Sequence, residues 1–225
     1  MLTRLRIKNF KRFGDADVEL GQSVVFLGPN NSGKTTALQA LALWDVGLRK
    51  WNERREGKTS PEKRPGVTIN RRDLIAIPVP DANLLWRNLH VRDVRRTNGK
   101  QETQNIRVDV IVDGVTAGKS WSCGFEFDYA NEESFYCRPL RLTEDKAPQR
   151  MPVPPEAADT RFAFLPPMSG LAATEPKWEG GRINVLLGEG QTAQVLRNLC
   201  HQICEQPDPK PAWKDVRAHI ESLFG

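Results

Sequence analysis

Residues Gly28 to Thr36 read Gly-Pro-Asn-Asn-Ser-Gly-Lys-Thr-Thr. The stretch contains G-x-x-x-x-G-K-S/T, with Gly28, Gly33, Lys34 and Thr35 in register, which is the phosphate-binding P-loop pattern. Gly28 and Gly33 let the backbone take positive φ and come close to a ligand. The N–H groups from Asn30 through Asn31, Ser32 and Gly33 to Lys34 are then expected to point inward as an anion nest. A helix opening near Gly33 adds its positive dipole end and its unpaired N–H groups. Lys34 is placed to reach and stabilise the β- and γ-phosphates. The Thr35 hydroxyl is placed to ligate Mg²⁺, with Thr36 completing the set.

The flanks agree with this motif. Ser23-Val24-Val25-Phe26-Leu27 is a short apolar run of the kind that forms a buried strand. Thr36 to Trp44 is rich in Ala and Leu and favours a helix. Upstream, residues 2–8 alternate Leu2, Leu5 and Ile7 against Arg4, Arg6 and Lys8, a half-buried strand. Asn9 to Gly14 reads as a turn, and Ala16 to Leu20 as a second short strand, so a hairpin precedes the loop.

The 225 residues suit one large domain or two small ones, and 39% hydrophobic with 27% charged is an ordinary globular composition. No run reaches the roughly 18 apolar residues of a membrane span. The N-terminus lacks the apolar core of a secretory signal. Four cysteines in that setting imply reduced thiols and a cytoplasmic protein. A net charge of +5 with pI near 9.1 permits nucleic-acid contact without demonstrating it.

The opening Leu2 to Phe13, with its Asn9-Phe10-Lys11-Arg12-Phe13 turn, and Val24 to Leu41 after it resemble the start of the ABC-class, AAA-like ATPases of the RecF, SMC and OLD type. The resemblance covers about the first 45 residues. It implies an α/β P-loop NTPase lobe with a mixed sheet and an antiparallel β-subdomain. It implies ATP and Mg²⁺ as cofactors, and Arg12 as a basic residue touching nucleotide phosphate. It also implies a second ATPase head as a homodimer partner, with DNA or a nuclease as a further partner. Work in DNA repair, chromosome maintenance or phage defence is the range such relatives cover.

Further along, Arg49 to Pro65 is a basic polar stretch, read as a solvated loop or as an arm for nucleic acid. Val67 to Ile69 is a short strand, and Asp73 to Pro80 a loop because of its prolines. Asp81 is placed to cap a helical turn. Ile106–Val112, Trp121–Tyr129 and Phe135–Leu142 form an antiparallel meander, with Asp113-Gly114 as a turn. Lys146 to Asp159 is a proline-rich linker. Arg161 to Leu165 is a closing strand, and Gln191–Cys204 and Trp213–Phe224 are amphipathic helices. Three segments follow: 1–48 with hairpin, P-loop and helix, 66–145 with the β-subdomain, and 160–225 with the closing strand and helices.

Hydrolysis in this class needs an Asp-Glu pair on an apolar strand, Walker B, and a glycine-rich signature loop from a second subunit. Val110-Ile111-Val112-Asp113 imitates the first but continues into Gly114. Leu187-Gly188-Glu189-Gly190-Gln191 imitates the second but leads to prolines rather than to an apolar strand. No glutamine stands at Pro166-Pro167, where relatives carry a Mg²⁺-sensing one; Gln191 and Gln194 lie downstream. An N-terminal portion of a longer ATPase is therefore expected, weak or inactive by itself. Cys123, Cys137, Cys200 and Cys204 would make a zinc site only if the fold brought them together, and none has C-x₂-C spacing. The alternative is a nucleotide- or nucleic-acid-binding interaction module without turnover, using Arg49–Arg64 and Arg87–Lys100. A P-loop kinase or small GTPase fits the leading hairpin and the long meander poorly.

Overall fold

The computed structural model describes residues 1–55, 66–74, 77, 79–97, 100–143, 148–160, 162, 174–189 and 191–224. Contacts gather in two units, Met1–Phe164 and Leu165–Gly225.

The first unit is built on one six-stranded sheet. Its strands are β1 (Leu2–Phe10), β2 (Phe13–Glu19), β3 (Val67–Asn70), β6 (Arg107–Thr116), β7 (Lys119–Asn131) and β8 (Ser134–Pro139), in the order β2-β1-β6-β7-β8-β3. A separate two-stranded ribbon pairs β4 (Arg92–Thr97) with β5 (Lys100–Asn105). The expected meander is present as β6-β7-β8. The leading hairpin joins it directly, with Leu5 opposite Val112 and Ile7 opposite Val110.

Alternation along these strands separates two faces. Leu5, Ile7, Val108, Val110, Val112, Phe125, Phe127 and Phe135 are buried and form one cluster with helix α1 (Lys34–Arg55). That helix contributes Ala37, Ala40, Leu43, Trp44 and Leu48 to the cluster. Gly47 permits close approach: an added Cβ would lie 3.0 Å from Cys137 Sγ and 3.1 Å from the Phe127 ring. Trp44 stacks on Trp121 with centroids 6.0 Å apart, and its Nε1–H donates to the Cys123 carbonyl at 2.8 Å. Burying an indole N–H is tolerable because that partner satisfies it. A short helix, α2 (Pro155–Ala158), buries Ala157 on the same core.

The other face is a charged lattice. Arg4 pairs with Asp17, Arg6 with Asp113 at 2.8 Å, and Lys8 with Asp15 at 4.0 Å. At its centre Glu126 is 0% exposed and accepts from Arg138 Nε at 2.7 Å, Arg141 Nε at 2.9 Å and Arg150 at 2.9 Å. Arg138 also donates to Asp128. Burial by itself would raise the Glu126 pKa, but the hydrogen bonds from Arg141 and Arg150 and the charges of Arg150 and Arg138 bring it down to about 2. Asp109, directly opposite Glu126, is pushed up to about 6, by burial first.

The second unit is small and helical: α3 (Gly180–Gly188), a 3-10 turn (Thr192–Gln194), α4 (Leu196–Cys204) and α5 (Lys210–Phe224). Its core is Ile183, Leu186 and Val195, with Leu187 and Leu199 packed against them.

Several expectations change. Every strand pairing described is antiparallel, so no parallel component of a mixed sheet occurs among the described residues. Ser23–Leu27 does not enter the sheet; Val25 is 78% and Leu27 87% exposed. A doubly buried strand needs neighbours on both edges, and none among the described residues pairs with it. The loop helix runs to Arg55, well beyond Trp44, so part of the expected basic loop is helical. Residues 56–65 lie outside the described residues, as does the proposed closing strand apart from Phe162. Asp113-Gly114 is mid-strand, not a turn. Gly114 is needed there because an added Cβ would meet the Trp121 ring at 2.4 Å, and the chain reverses instead at Ala117-Gly118. Asp81 precedes a 3-10 turn (Ala82–Leu85) without a capping side-chain hydrogen bond.

Replacing Trp44 with Ala removes the stacked ring and leaves a cavity, with an expected cost of about 3–5 kcal/mol in urea unfolding. Glu126→Gln strands several guanidinium groups and should cost about 3–5 kcal/mol. The Glu126 pKa is lower folded than unfolded, so its contribution is present above about pH 4.5 and is lost as pH falls toward 2. Unfolding curves between those values should converge for wild type and Glu126→Gln.

Candidate phosphate-binding site

The loop between β2 and α1 has the backbone its glycines announce. Gly28 has φ +151° and Gly33 φ +103°, both in a region that L side chains avoid. Asn31 has φ +64°, which Asn tolerates better than most residues. Ser32 N–H donates to the Pro29 carbonyl at 3.2 Å, and the first helical bond runs from Ala37 N–H to the Gly33 carbonyl at 2.9 Å. Helix α1 therefore opens at Lys34, with its first-turn N–H groups facing the loop end and no acidic residue in that turn. Asn30, Asn31 and Thr35 are exposed, Ser32, Lys34 and Thr36 are half-buried, and Gly33 is buried.

Lys34 folds back on its own loop. Its Nζ donates to the carbonyls of Gly28 at 2.7 Å and Pro29 at 2.8 Å. These are neutral acceptors, so the ammonium keeps its charge uncompensated within the loop. Such an arrangement favours an anion. Thr35 offers one exposed hydroxyl oxygen in the first turn. A Mg²⁺ that takes its remaining ligands from phosphates and water needs no more than one or two protein oxygens, so the residues present fit that ion.

The turn between β1 and β2 braces this loop, which the sequence did not reveal. A Cβ added at Gly33 would lie 2.8 Å from the Phe13 ring, so Phe13 rests on the glycine. Lys11, at φ +47°, sends its N–H to the Leu85 carbonyl at 2.9 Å and its Nζ to Gln39 Oε1 at 2.9 Å. Gln39 is one helical turn beyond Thr35. Burial pushes the Lys11 ammonium down to about 8. Arg12, the cation singled out from the sequence, is exposed between these two residues. The available signal was the spacing of Phe10, Lys11 and Phe13 in the turn itself.

The remaining candidates separate. Asp113 is held by Arg6 and by Ser122 on the charged face, which is an ion-pair role rather than that of a Walker B carboxylate. Gly188 closes α3, and Gly190 lies outside the described residues. The N–H groups of Arg197 and Asn198 that open α4 are taken by the Glu175 carboxylate at 2.9 and 2.6 Å. The helix start after the signature imitation is thus already capped by a protein anion. Gln191 and Gln194 belong to this second unit. Cys123 and Cys137 are buried core thiols, the first pushed to about 12 by burial, while Cys200 and Cys204 lie on α4. No group of three His, Cys, Asp or Glu side chains that could hold a metal ion occurs among the described residues. No described helix is long and apolar enough to cross a membrane.

Comparison with known proteins bears on the same segment. Residues 1–61 match the model of the AAA ATPase domain family. A 43-residue stretch is 49% identical to the OLD nuclease of Thermus scotoductus; it makes up 19% of this chain and 8% of that protein. The N-terminal part of the chain is thus similar to an AAA-like ATPase domain.

The Lys11 amine titrates lower when folded than in the unfolded chain. Between about pH 8 and 10.5 the unfolded chain holds a proton that the folded chain has released, so stability rises with pH there. Urea unfolding on both sides of pH 8 should show this rise in wild type and its absence in Lys11→Met.

Proposed function

We propose that the chain binds ATP with Mg²⁺ at Gly28–Thr36 and serves as the nucleotide-binding part of a RecF/SMC/OLD-type ATPase. The observation that carries this is the loop: two glycines at positive φ, a helix opening at Lys34, and a lysine ammonium paired only with carbonyls. The N–H groups of Asn30 to Lys34 would cradle the phosphates. Lys34 would exchange its loop carbonyls for phosphate oxygens. Thr35 would hold Mg²⁺, which when bound neutralises phosphate charge. Phe13 and Lys11 keep the loop and α1 in place, and Arg12 stands beside them as a further cation.

Turnover draws on more than this site. Asp113 is committed to Arg6 and Ser122, and the α4 N-terminus to Glu175. Efficient hydrolysis would therefore need a Walker B carboxylate pair and a second ATPase head supplied beyond the residues described. The uncovered Val24, Val25 and Leu27 beside the loop support this, because a further layer of sheet would bury them. A role in DNA repair, chromosome maintenance or phage defence, with DNA or a nuclease as partner, follows from the likeness to the OLD nuclease and belongs to the proposal. The second reading is a binding module without turnover. It shares the nucleotide site and differs in having no ATPase cycle.

The test is ATP–Mg²⁺ binding and steady-state turnover by the chain beside Lys34→Ala. Wild type should bind. Lys34→Ala should lose roughly tenfold to a hundredfold in affinity through its charge-assisted hydrogen bonds, with circular dichroism unchanged. Equal affinity in the two proteins would remove the P-loop assignment. Robust Lys34-dependent turnover would show a complete catalytic site in this chain.

A further inference from the structure

Glu126 lies under a cover that the same chain supplies. Beyond β8 two short arms, residues 140–143 and 148–151, run across the outer face of the sheet. The arms bond to one another: Leu142 N–H donates to the Gln149 carbonyl and Met151 N–H to the Leu140 carbonyl, each at 2.7 Å, and Arg141 bridges to Arg150. They seat on the sheet at two points. Leu140 N–H donates to the Gly124 carbonyl at 2.9 Å, and a Cβ added at Gly124 would lie 3.1 Å from Met151 Sδ and 3.2 Å from Leu140 Cβ. The next residue on that face of β7 is Glu126. It accepts from Arg141 through Nε at 2.9 Å and the backbone N–H at 3.2 Å, and from Arg150 at 2.9 Å. One carboxylate thus ties both arms to the sheet.

Asp109 stands next to this tie. It is the cross-strand partner of Glu126 on β6, and such partners share a face of the sheet with Cβ atoms about 5 Å apart. Its Oδ1 is buried and accepts no hydrogen bond among the described residues. Buried acceptors are nearly always satisfied, so an orphan oxygen beside a second carboxylate is a costly setting for the ionised form. The elements packed around it each bring charge: Lys8 from β1, Arg107 on its own strand, Glu126 from β7 and Arg141 from the first arm. Arg138 of β8 and Arg150 of the second arm are bound to Glu126, and Arg138 also to Asp128. Burial outweighs the attraction of Arg107, Lys8 and Arg141, and the Asp109 carboxyl is pushed up to about 6.

We propose that Asp109 and Glu126 form a proton-operated latch: the two arms close over the sheet when Asp109 is protonated and loosen when it ionises. This goes beyond the nucleotide site and does not rest on it. With the arms seated, Asp109 shares the buried setting of Glu126; lifting them admits water to both. Water stabilises a carboxylate far more than a carboxylic acid, so losing the proton favours the open state.

The two carboxylates have opposite signs, which separates their roles. Asp109 holds its proton more tightly when covered than at its ordinary value of 3.8, so its contribution to closure is full below that value and is lost as pH rises through about 6. Glu126 is held down at about 2, so its grip on Arg141 and Arg150 fails only in strong acid. Between these limits Glu126 stays charged, and Asp109 is the member of the pair that changes. Glu126 is the fixed half of the latch and Asp109 the half that responds.

The test is hydrogen–deuterium exchange of the full chain across a pH series, corrected for the intrinsic pH dependence of amide exchange and read at the Leu142 and Met151 amides. Wild type is expected to lose protection there by at least about tenfold from about pH 5 to about pH 8, while amides in the middle of α1 keep theirs. Asp109→Asn keeps the shape of the protonated carboxyl and cannot ionise, so its arms should hold their acid-side protection throughout. Lys34→Ala should follow wild type. A second measurement needs no variant: the Asp109 carboxyl carbon, followed by carbon-13 NMR in wild type, should titrate near pH 6. Protection of the arms that does not change with pH, the same change in Asp109→Asn, an equal loss in α1, or an Asp109 carboxyl titrating at its ordinary value would each overturn the proposal.

Discussion

The packing of α1 across the inner face of the antiparallel sheet is the constraint on which the rest of the first unit depends. One side of the helix is built from small or flat contacts, with Ala37, Ala40 and Gly47 allowing approach and Leu43, Trp44 and Leu48 filling the space. Close-packed interiors leave little room for sliding or rotation. With α1 held this way, its N-terminus is held too, and so are the N–H groups that open at Lys34. The site inherits its precision from core contacts about one to four helical turns away.

The β1–β2 turn extends that constraint to the loop. Phe13 on Gly33 and Lys11 on Gln39 tie the turn to both sides of the α1 N-terminus. An aromatic ring against a glycine at φ +103° leaves no space for a side chain there. The glycine is thus required twice, by backbone angle and by contact. The bond from Lys11 to Leu85 and the contact of Arg87 with Gly14 carry the connection on to the segment that leads into the β4–β5 ribbon. A half-buried lysine whose ammonium meets a neutral amide and the face of Phe10, with no carboxylate, is costly to charge.

Electrostatics divides the same unit by face. Paired charges cover the outer side of the sheet, with Glu126 buried under several arginines. At the loop, by contrast, the Lys34 ammonium is held by the carbonyls of Gly28 and Pro29. Removing one partner from a buried network leaves the others uncompensated, so that lattice holds strands β6, β7 and β8 in register more than it adds net stability.

How much of this was legible in the residues depends on the range of the interactions involved. The Gly28–Thr36 loop was readable as a loop because its determinants are local: Gly28 and Gly33 set the backbone, Lys34 opens the helix, and the backbone found there is the one those residues allow. The meander was readable from its alternation, and the late helices from their periodicity. The Ser23–Leu27 segment misled, because an apolar run announces that it wants burial and not what will cover it. Asp113-Gly114 also misled: its turn signal is overruled by Trp121, which packs on Gly114, and by Arg6, which takes Asp113 from a strand more than a hundred residues away. The β4–β5 ribbon was missed among polar residues, although Asn98-Gly99 between its strands is a strong hairpin signal. The sequence by itself determined the glycine loop, its helix and the alternating meander strands, since these are set by spacing and backbone preference over a few residues. Only the tertiary structure decided that Phe13 braces Gly33, that Lys11 reaches Gln39 and that Glu126 gathers its arginines, since each joins side chains that the chain brings together only by folding.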